Sequence, residues 1–181
     1  MDPNVRVTLH EMLKDRGYDR VEHEDDVSIV AKKTNHDNRS VMVYFIYEPK
    51  VSVKRVKNIK EMIDNDETKY ECLILVYKTA ITTFAKQFIT TDVNDLFVQA
   101  FSERELSFNV TKHHLVPKHE VLTPEEKRNV VKKYRTPMKQ FPLMLSSDPV
   151  ARYYGLLPGG MVKITRPSPT AGEYTLYRVV V

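Results

Sequence analysis

Apolar residues follow two different spacings in the first half of the chain, and each spacing predicts one type of element. Helical spacing predicts a helix over about 5–16, which ends at Gly17, and another over about 52–65. Continuous apolar runs predict strands at 27–32, 41–47 and 72–77. The residues at helical spacing are Val5, Leu9, Met12 and Leu13 in the first helix and Val56, Ile59 and Ile63 in the second.

The order of these elements predicts an α/β domain with a partly parallel sheet and flanking helices. The polar cluster 34–39 is expected to join two strands as a hairpin, and the acidic stretch 22–26 to form a loop. The succession of strand, helix and strand over 41–77 predicts a right-handed crossover between two parallel strands.

Three further elements are expected before the chain leaves this domain. Thr82 or Thr83 caps a short predicted helix that reaches Lys86, and Thr91 caps a longer one. A strand is predicted over 106–110. The longer helix is predicted from apolar residues that repeat every three or four positions, namely Val93, Leu96, Phe97, Ala100 and Phe101.

A second, small α+β domain is predicted from about Asn109 onward. Its first helix begins with a capping box between Thr123 and Glu126 and runs to about Tyr134. The predicted buried stripe of this helix consists of Val130, Val131 and Tyr134, and its basic C-terminal end of Lys132, Lys133 and Arg135.

The last 36 residues of the chain predict a short helix followed by a strand pair. Asp148 caps the helix, Pro149 occupies its first position, and Gly155 ends it in the left-handed conformation. Pro158-Gly159 fits a type II turn. Strands are expected over 161–166 and 174–181, and the three terminal valines indicate that the second strand is buried.

Composition describes a globular chain with an uneven charge distribution. Residues 109–181 contain 12 Lys and Arg against five Asp and Glu, a net charge of +7, whereas residues 1–108 carry −3. No apolar run approaches the roughly 20 residues that a membrane span needs. The single cysteine, Cys72, excludes an internal disulfide and fits a reducing, intracellular compartment. The basic C-terminal part therefore suits an acidic partner surface or a nucleic acid.

At these C-terminal residues the chain resembles the fifth subunit shared by the eukaryotic nuclear RNA polymerases and its counterpart in the archaeal RNA polymerase. The resemblance is continuous over 109–181, weaker from about Val27, and faint before it. Its motifs read Leu115-Val116-Pro117-Lys118-His119, Leu122-Thr123-Pro124-Glu125-Glu126-Lys127, Asp148-Pro149-Val150-Ala151-Arg152-Tyr153-Tyr154-Gly155-Leu156, Val162-Lys163-Ile164-Thr165-Arg166-Pro167-Ser168 and Thr170-Ala171-Gly172-Glu173-Tyr174.

The resemblance implies a non-catalytic subunit of a multisubunit, DNA-directed RNA polymerase that acts in transcription without a cofactor. Residues 1–108 would be a jaw domain beside the downstream DNA duplex, and 109–181 an assembly domain that docks on the largest subunit. The expected docking residues are Arg152, Tyr153, Tyr154, Lys163, Arg166 and Arg178.

The loop 78–86 takes the place of a short Thr-Pro-Ser-Ala motif that faces DNA in this family. Thr82 and Ala85 match that motif, whereas Thr83 and Phe84 replace its proline and serine. Weak contacts with the phosphate backbone are expected from Lys78, Thr82, Thr83 and Lys86.

The residues leave two alternative functions open. One is a free-standing nucleic-acid-binding protein that uses the basic C-terminal domain directly. In the first domain, Lys50, Lys54, Arg55, Lys57 and Lys60 could also meet phosphates, but the solvent-exposed face of an amphipathic helix is the favoured interpretation of this run. The other is a Mg²⁺-dependent nuclease of the restriction-enzyme type built from Asp37, Glu48 and Lys50. The spacing of His113, His114 and His119 matches no zinc pair, and Cys72 within an apolar run is expected to be a core residue.

The resemblance also bears on where the protein acts. It implies a nuclear protein in a cellular organism. The N-terminal region is shorter and more divergent than we expect of a family member from a cellular eukaryote. A large DNA virus with its own polymerase is therefore also open as the source, with the protein in the viral factory or the virion.

Overall fold

The structure, a computed structural model, describes residues 2–33, 39–66, 68, 70–91, 96–170 and 172–181. The chain divides into two compact units, Met1–Phe108 and Asn109–Val181. Each contains a sheet with flanking helices. No helix among the described residues is long and apolar enough to cross a bilayer.

The first unit alternates helices with the strands of a mixed sheet in the order β1-β2-β3-β4-β5. Strands β1, β2 and β3 are antiparallel neighbours, whereas β3, β4 and β5 run parallel. The elements are α1 (Pro3–Asp15), β1 (Arg20–Glu24), β2 (Ser28–Lys32), β3 (Ser40–Ile46), α2 (Val53–Asp64), β4 (Tyr70–Tyr77), α3 (Thr83–Thr91) and β5 (Phe97–Ser102).

Helices cover both faces of the central strands. Helix α2 presents Val56, Ile59 and Ile63 to a core that includes Leu73 and Leu75 of β4. On the side of β3 that carries Phe45, α1 supplies buried apolar residues and places the Arg6 guanidinium 5.2 Å from the Phe45 ring centre. Within the sheet, β2 and β3 pair antiparallel, as the predicted hairpin requires, and β3 and β4 form the predicted parallel pair.

Three predictions for this unit were wrong. Residues Arg20–Glu24 form an exposed edge strand rather than the beginning of an acidic loop. The helix predicted after Thr91 is replaced by strand β5, because Phe97–Ser102 pairs with β4 along its whole length; part of that prediction, 92–95, lies outside the described residues. The strand predicted over 106–110 is a series of turns with Leu106 buried. The turn predicted at 34–39 also lies largely outside the described residues.

The second unit packs two helices against a sheet in the order β6-β8-β9-β7. Strand β8 pairs antiparallel with both β6 and β9, and the short β7 runs parallel to β9. Its elements are β6 (Lys118–Val121), α4 (Pro124–Tyr134), β7 (Leu143–Met144), α5 (Pro149–Tyr153), β8 (Met161–Ser168) and β9 (Gly172–Val180), with short 3-10 helices at Val110–Lys112 and Met138–Gln140.

Each face of this second sheet has its own small core. Helix α5 contributes Val150 and Ala151 to a cluster with Val162, Ile164 and Val180. Helix α4 contributes Val130 to a cluster with Met161 and Val179 on the other face. Tyr134, predicted to be buried, is 48% exposed, although its ring packs edge-on against Phe141 and Tyr177.

Candidate functional site

The loop after β4 lies at the carboxyl end of the parallel strands. The backbone of Val51, which follows β3, bonds to both Ala80 and Thr82, so the segments after β3 and β4 are held side by side. Lys78 and Lys86 are exposed here. The loop therefore presents cations at the sheet edge where open α/β folds place their ligands.

Two threonines begin the helix that leaves this loop. The Thr82 hydroxyl accepts a hydrogen bond from the Ala85 amide at 3.2 Å, which makes Thr82 the cap of α3. Thr83 and Phe84 are exposed, and Phe84 is 76% accessible. Of the four residues predicted to contact DNA, Lys78, Thr83 and Lys86 are thus open to solvent, whereas Thr82 is half-buried and has a local structural role.

The basic residues of α2 lie on its solvent face, and Arg55 and Lys57 contact neighbouring side chains of the unit. The Arg55 guanidinium lies 2.9 Å from a Glu48 carboxylate oxygen. The Lys57 ammonium lies 5.3 Å from the Phe88 ring centre. These contacts fit the exposed face of an amphipathic helix better than a phosphate-binding surface.

Neither a nuclease centre nor a metal site is formed by the described residues. Glu48 faces the Arg55 guanidinium, which competes for the carboxylate that a Mg²⁺ ion would need. Asp37 lies outside the described residues. Within the described ranges, no group of three or more His, Cys, Asp or Glu residues could hold a metal ion.

Cys72 is a core residue, as predicted. Its side chain is 3% exposed, and burial raises the pKa of the thiol to about 11. Since the thiolate is the reactive species, a thiol with this pKa stays protonated and unreactive at neutral pH.

The second unit presents a basic and aromatic sheet face. Directly opposed residues of antiparallel strands share a face, and the register sets Arg166 opposite Tyr174 and Ile164 opposite Leu176. Arg178, two residues further along β9, lies on this face as well. Arg166 and Tyr174 are exposed, at the end of the face beyond the buried Ile164.

Helix α5 packs on this same face, and three of the predicted docking residues lie in its last turn or directly after it. Tyr154 is half-buried, and its hydroxyl donates to the His119 carbonyl at 3.4 Å. Arg152 is also half-buried. Tyr153, in contrast, is 3% exposed, and its hydroxyl accepts from the Asn109 side chain at 3.0 Å. Tyr153 thus belongs to the core of its own unit, and we remove it from the docking set.

Lys163 lies on the opposite face of the sheet. Its ammonium is 2.9 Å from the Glu120 carboxylate, and Lys118 binds the other oxygen of that carboxylate at 2.6 Å. The two lysines hold the pKa of Glu120 down at about 2. The side of the sheet that α5 covers therefore carries four of the six predicted docking residues, Arg152, Tyr154, Arg166 and Arg178. Lys163 lies on the other side.

Sequence reasoning missed strand β6 and the residues that it places. Its four residues put His119 opposite Ile164 and Glu120 opposite Lys163. The sequence carried little local signal for this strand, because residues 118–121 read Lys-His-Glu-Val and lack the alternation of polar and apolar residues that predicts a half-buried strand. The three C-terminal histidines do come together, along one cleft beside Tyr154.

The chain is similar to known subunits of RNA polymerases. A family model described as "RNA polymerase Rpb5, C-terminal domain" matches residues 108–180. Over 98% of its length the chain is 36% identical to "DNA-directed RNA polymerases I, II, and III subunit rpabc1" of Dictyostelium discoideum, and it covers 95% of that protein. It is 36% identical to the corresponding RPABC1 subunit of Caenorhabditis briggsae, covering 96% of this chain and 82% of that one.

The similarity extends to further proteins. The RPABC1 subunit of Caenorhabditis elegans is 34% identical over 98% of this chain and 94% of its own length. The solved structure titled "ATP-dependent Type ISP restriction-modification enzyme LlaBIII bound to DNA" matches with 14% identity and a TM-score of 0.41, over 78% of this chain and 10% of that one. A likeness that weak supports no argument about fold or function.

Proposed function

The chain belongs to the Rpb5 family of shared RNA polymerase subunits, and we propose that it is a non-catalytic structural subunit of a DNA-directed RNA polymerase. The observation that carries this proposal is the 36% identity over 98% of the chain, which includes both units. Its contribution is positional, because it holds other subunits and the template in place. We propose that the protein acts in the nucleus rather than in a viral factory, because the relatives named above are subunits of RNA polymerases I, II and III of cellular organisms.

We propose that the two units divide this work as an assembly domain, 109–181, and a jaw domain, 1–108. The net charge of +7 on 109–181 suits an acidic docking surface on the largest subunit. The face with Arg166, Tyr174 and Arg178 is the best candidate for the contact, because it combines guanidinium groups with a half-exposed aromatic ring. Arginine and tyrosine are enriched among the residues that dominate binding energy at interfaces.

The docking face is tested with the full chain in its complex. A tagged Arg166→Glu protein should retain less of the largest polymerase subunit after washing in salt than the parent does. The Lys139→Glu protein reverses an exposed charge outside this face and should retain as much as the parent. Equal retention by all three proteins would refute the proposed face, and recovery of nucleic acid without polymerase subunits would favour a free-standing nucleic-acid-binding protein.

We propose that the loop after β4 approaches the phosphate backbone of downstream DNA. Lys78 and Lys86 are exposed cations at the carboxyl edge of the parallel strands, and Thr83 adds an exposed hydroxyl. Thr82 supports the loop through its cap on α3. Contacts of this kind position a duplex without reading its sequence, and each one contributes to the salt dependence of binding.

The jaw contact is tested in reassembled polymerase. Loss of both lysines in a Lys78→Ala/Lys86→Ala protein should reduce the salt slope of downstream DNA binding by about two, one for each lost phosphate contact. The Lys14→Ala/Arg20→Ala protein removes two exposed cations elsewhere in the unit and should keep the parent slope. An unchanged slope and elongation-complex lifetime in the first variant would contradict the jaw contact and leave the docking proposal intact.

A further inference from the structure

The sheet of the second unit ends at β7, an edge strand whose outer side is open within the described part of the chain. The carbonyls of Pro142 and Met144 and the amide of Ser146 bond to the end of β9. Successive residues of a strand direct their backbone groups to opposite edges, so Leu143 and Leu145 point theirs away from β9. Backbone groups of these two leucines therefore line the outer edge of the sheet.

The free groups on this edge are two amides. Neither the Leu143 nor the Leu145 amide has an acceptor among the described residues. The carbonyls are already engaged, because that of Leu145 accepts from the Asp148 amide at 3.0 Å and that of Leu143 accepts a longer bond from the Arg178 guanidinium at 3.4 Å. The edge thus lacks two acceptors that are two residues apart, which is the spacing of carbonyls along one side of an extended chain.

The side chains beside these amides are apolar and exposed. Leu143 is 53% exposed and Leu145 64%, and both lie on the face opposite the buried Met144. Val181, which follows the buried Val180 in β9, is exposed as well. Three aliphatic side chains therefore form an apolar border that a neighbouring chain could cover.

The other edge strands lack this combination of open backbone and exposed apolar side chains. Strand β6, at the opposite edge of the same sheet, reads Lys-His-Glu-Val, and β1 of the first sheet reads Arg-Val-Glu-His-Glu. Strand β5 is uncharged, but its side chains are buried or half-buried. Residues 140–147, in contrast, contain no charged residue. Because proteins usually protect an exposed edge with charges, an uncharged edge of this kind indicates that a partner covers it in the assembled state.

We propose that an extended segment of a partner polypeptide pairs with β7 and adds a fifth strand to this sheet. Its carbonyls accept from the amides of Leu143 and Leu145, and its apolar side chains cover these leucines and Val181. The proposal specifies how the second unit docks, and it rests on the docking function proposed above.

Charge complementarity identifies one further feature of the added strand. The Arg178 guanidinium reaches the edge through its bond to the Leu143 carbonyl and makes no ion pair in the described structure, and its Nε atom is buried without a hydrogen-bond partner. The partner strand therefore carries an aspartate or glutamate beside Arg178. A second copy of this edge fits less well, since residues 140–147 supply no carboxylate.

Hydrogen exchange tests the added strand directly, with the full chain free and in reassembled polymerase. The amides of Leu143 and Leu145 should exchange rapidly in the free chain and at least about tenfold more slowly in the complex. The Ser146 amide, which already bonds to Val181, is the internal reference and should be protected in both states.

Substitutions at Leu145 separate the backbone bond from the apolar contact. Leu145→Pro removes one free amide, and proline favours the extended backbone that Met144 already has. The largest polymerase subunit, immobilised, should bind this variant up to about tenfold more weakly than the parent. Leu145→Lys charges the same edge without changing the backbone and should also bind more weakly. Leu145→Met keeps both the amide and the apolar surface, and Met62→Lys adds a lysine at an exposed residue of α2, so both should bind like the parent.

Three results would overturn the proposal. Unchanged exchange at Leu143 and Leu145 in a polymerase that protects other parts of 109–181 would refute the added strand and leave the docking function intact, whereas protection of no part of 109–181 would refute both. Equal retention of the parent, Leu145→Pro and Leu145→Lys would show that the edge does not contribute to binding. A free chain that sediments as a dimer, and as a monomer after Leu145→Lys, would make a second copy the occupant of the edge.

Discussion

Gly155 is the residue at which backbone geometry most directly constrains the sequence of the second unit. Its φ is 65°, in the left-handed region, where it ends α5 and lets the next amide bond back to Ala151. A β-branched residue is strained in that region, so Gly155→Val should lower the free energy of unfolding by at least about 1 kcal/mol. The exposed strand substitution Thr175→Val is a matched control and should change it by less than about 0.5 kcal/mol. Equal denaturation midpoints for Gly155→Val and the parent would contradict this account.

Cys72 provides a second residue-level prediction. Because the thiol is buried and its pKa is raised to about 11, a thiol reagent should not label the native protein at neutral pH. Labelling should become complete once denaturant has unfolded the first unit, with a midpoint that matches loss of circular dichroism. Rapid labelling of the folded protein would show that β4 opens without global unfolding.

For single residues, the sequence predicted local backbone roles well and the burial of individual side chains poorly. The cap at Asp148 and the left-handed Gly155 were predicted because each depends on a few neighbouring residues. Tyr153 and Tyr154 are adjacent and chemically identical, yet one is core and the other half-exposed. Which of them is buried depends on the packing of α5 against β8, and this contact is not encoded in local sequence.

Among the elements, α4 and β5 show where local pattern suffices and where it fails. Helix α4 was predicted from its capping box and observed with both reciprocal bonds, between the Thr123 and Glu126 side chains and the facing amides. Strand β5 was predicted as helix because its apolar residues also fit a helical repeat. This segment is a strand because it pairs with the buried β4, which satisfies its backbone N–H and C=O groups. The spacing of apolar residues carries no information about such pairing with a distant strand.

The cross-strand contact between Glu120 of β6 and Lys163 of β8 is one contribution to stability that acid should remove. Lys118 and Lys163 lower the pKa of Glu120 from 4.5 to about 2 in the folded protein. A depressed folded-state pKa contributes stability above the unfolded value and loses it as the pH falls through the folded one. The melting temperature of Glu120→Gln should therefore fall less between about pH 4.5 and pH 2 than that of the parent. Glu125→Gln, at an exposed residue with no ion pair in the described structure, should follow the parent, and parallel curves for all three proteins would refute the role of Glu120.

On the scale of the whole molecule, the charge asymmetry follows the structural division. The unit boundary at Phe108 and Asn109 separates a net charge of −3 from one of +7. Sequence indicated this division because the units differ in composition as well as in fold. That Lys163 and Arg166 lie on opposite faces follows from the alternation of side chains along β8, but which of the two faces α5 covers depends on tertiary packing and could not be predicted in the same way.

The second unit is predicted to fold alone and to carry the stable attachment of the protein to its complex. Residues 109–181 have capped helices, their own sheet and apolar clusters on both sheet faces. A unit this small buries only about 60% of its unfolded surface, so it should be marginally stable and gain from a partner. Expressed separately, 109–181 should unfold cooperatively, at a higher temperature when the largest polymerase subunit is present.

The two fragments are then offered to the immobilised largest subunit. Fragment 109–181 should be retained, whereas 1–108, with net charge −3 and only weak jaw contacts, should wash off. The Arg166→Glu form of 109–181 is the matched control, and it should fold like the parent fragment but elute earlier, because Arg166 is exposed and makes no ion pair in the described structure. Retention of 1–108 alone would reverse the proposed roles. A disordered 109–181 that binds nothing would show that the second unit depends on the first for its fold.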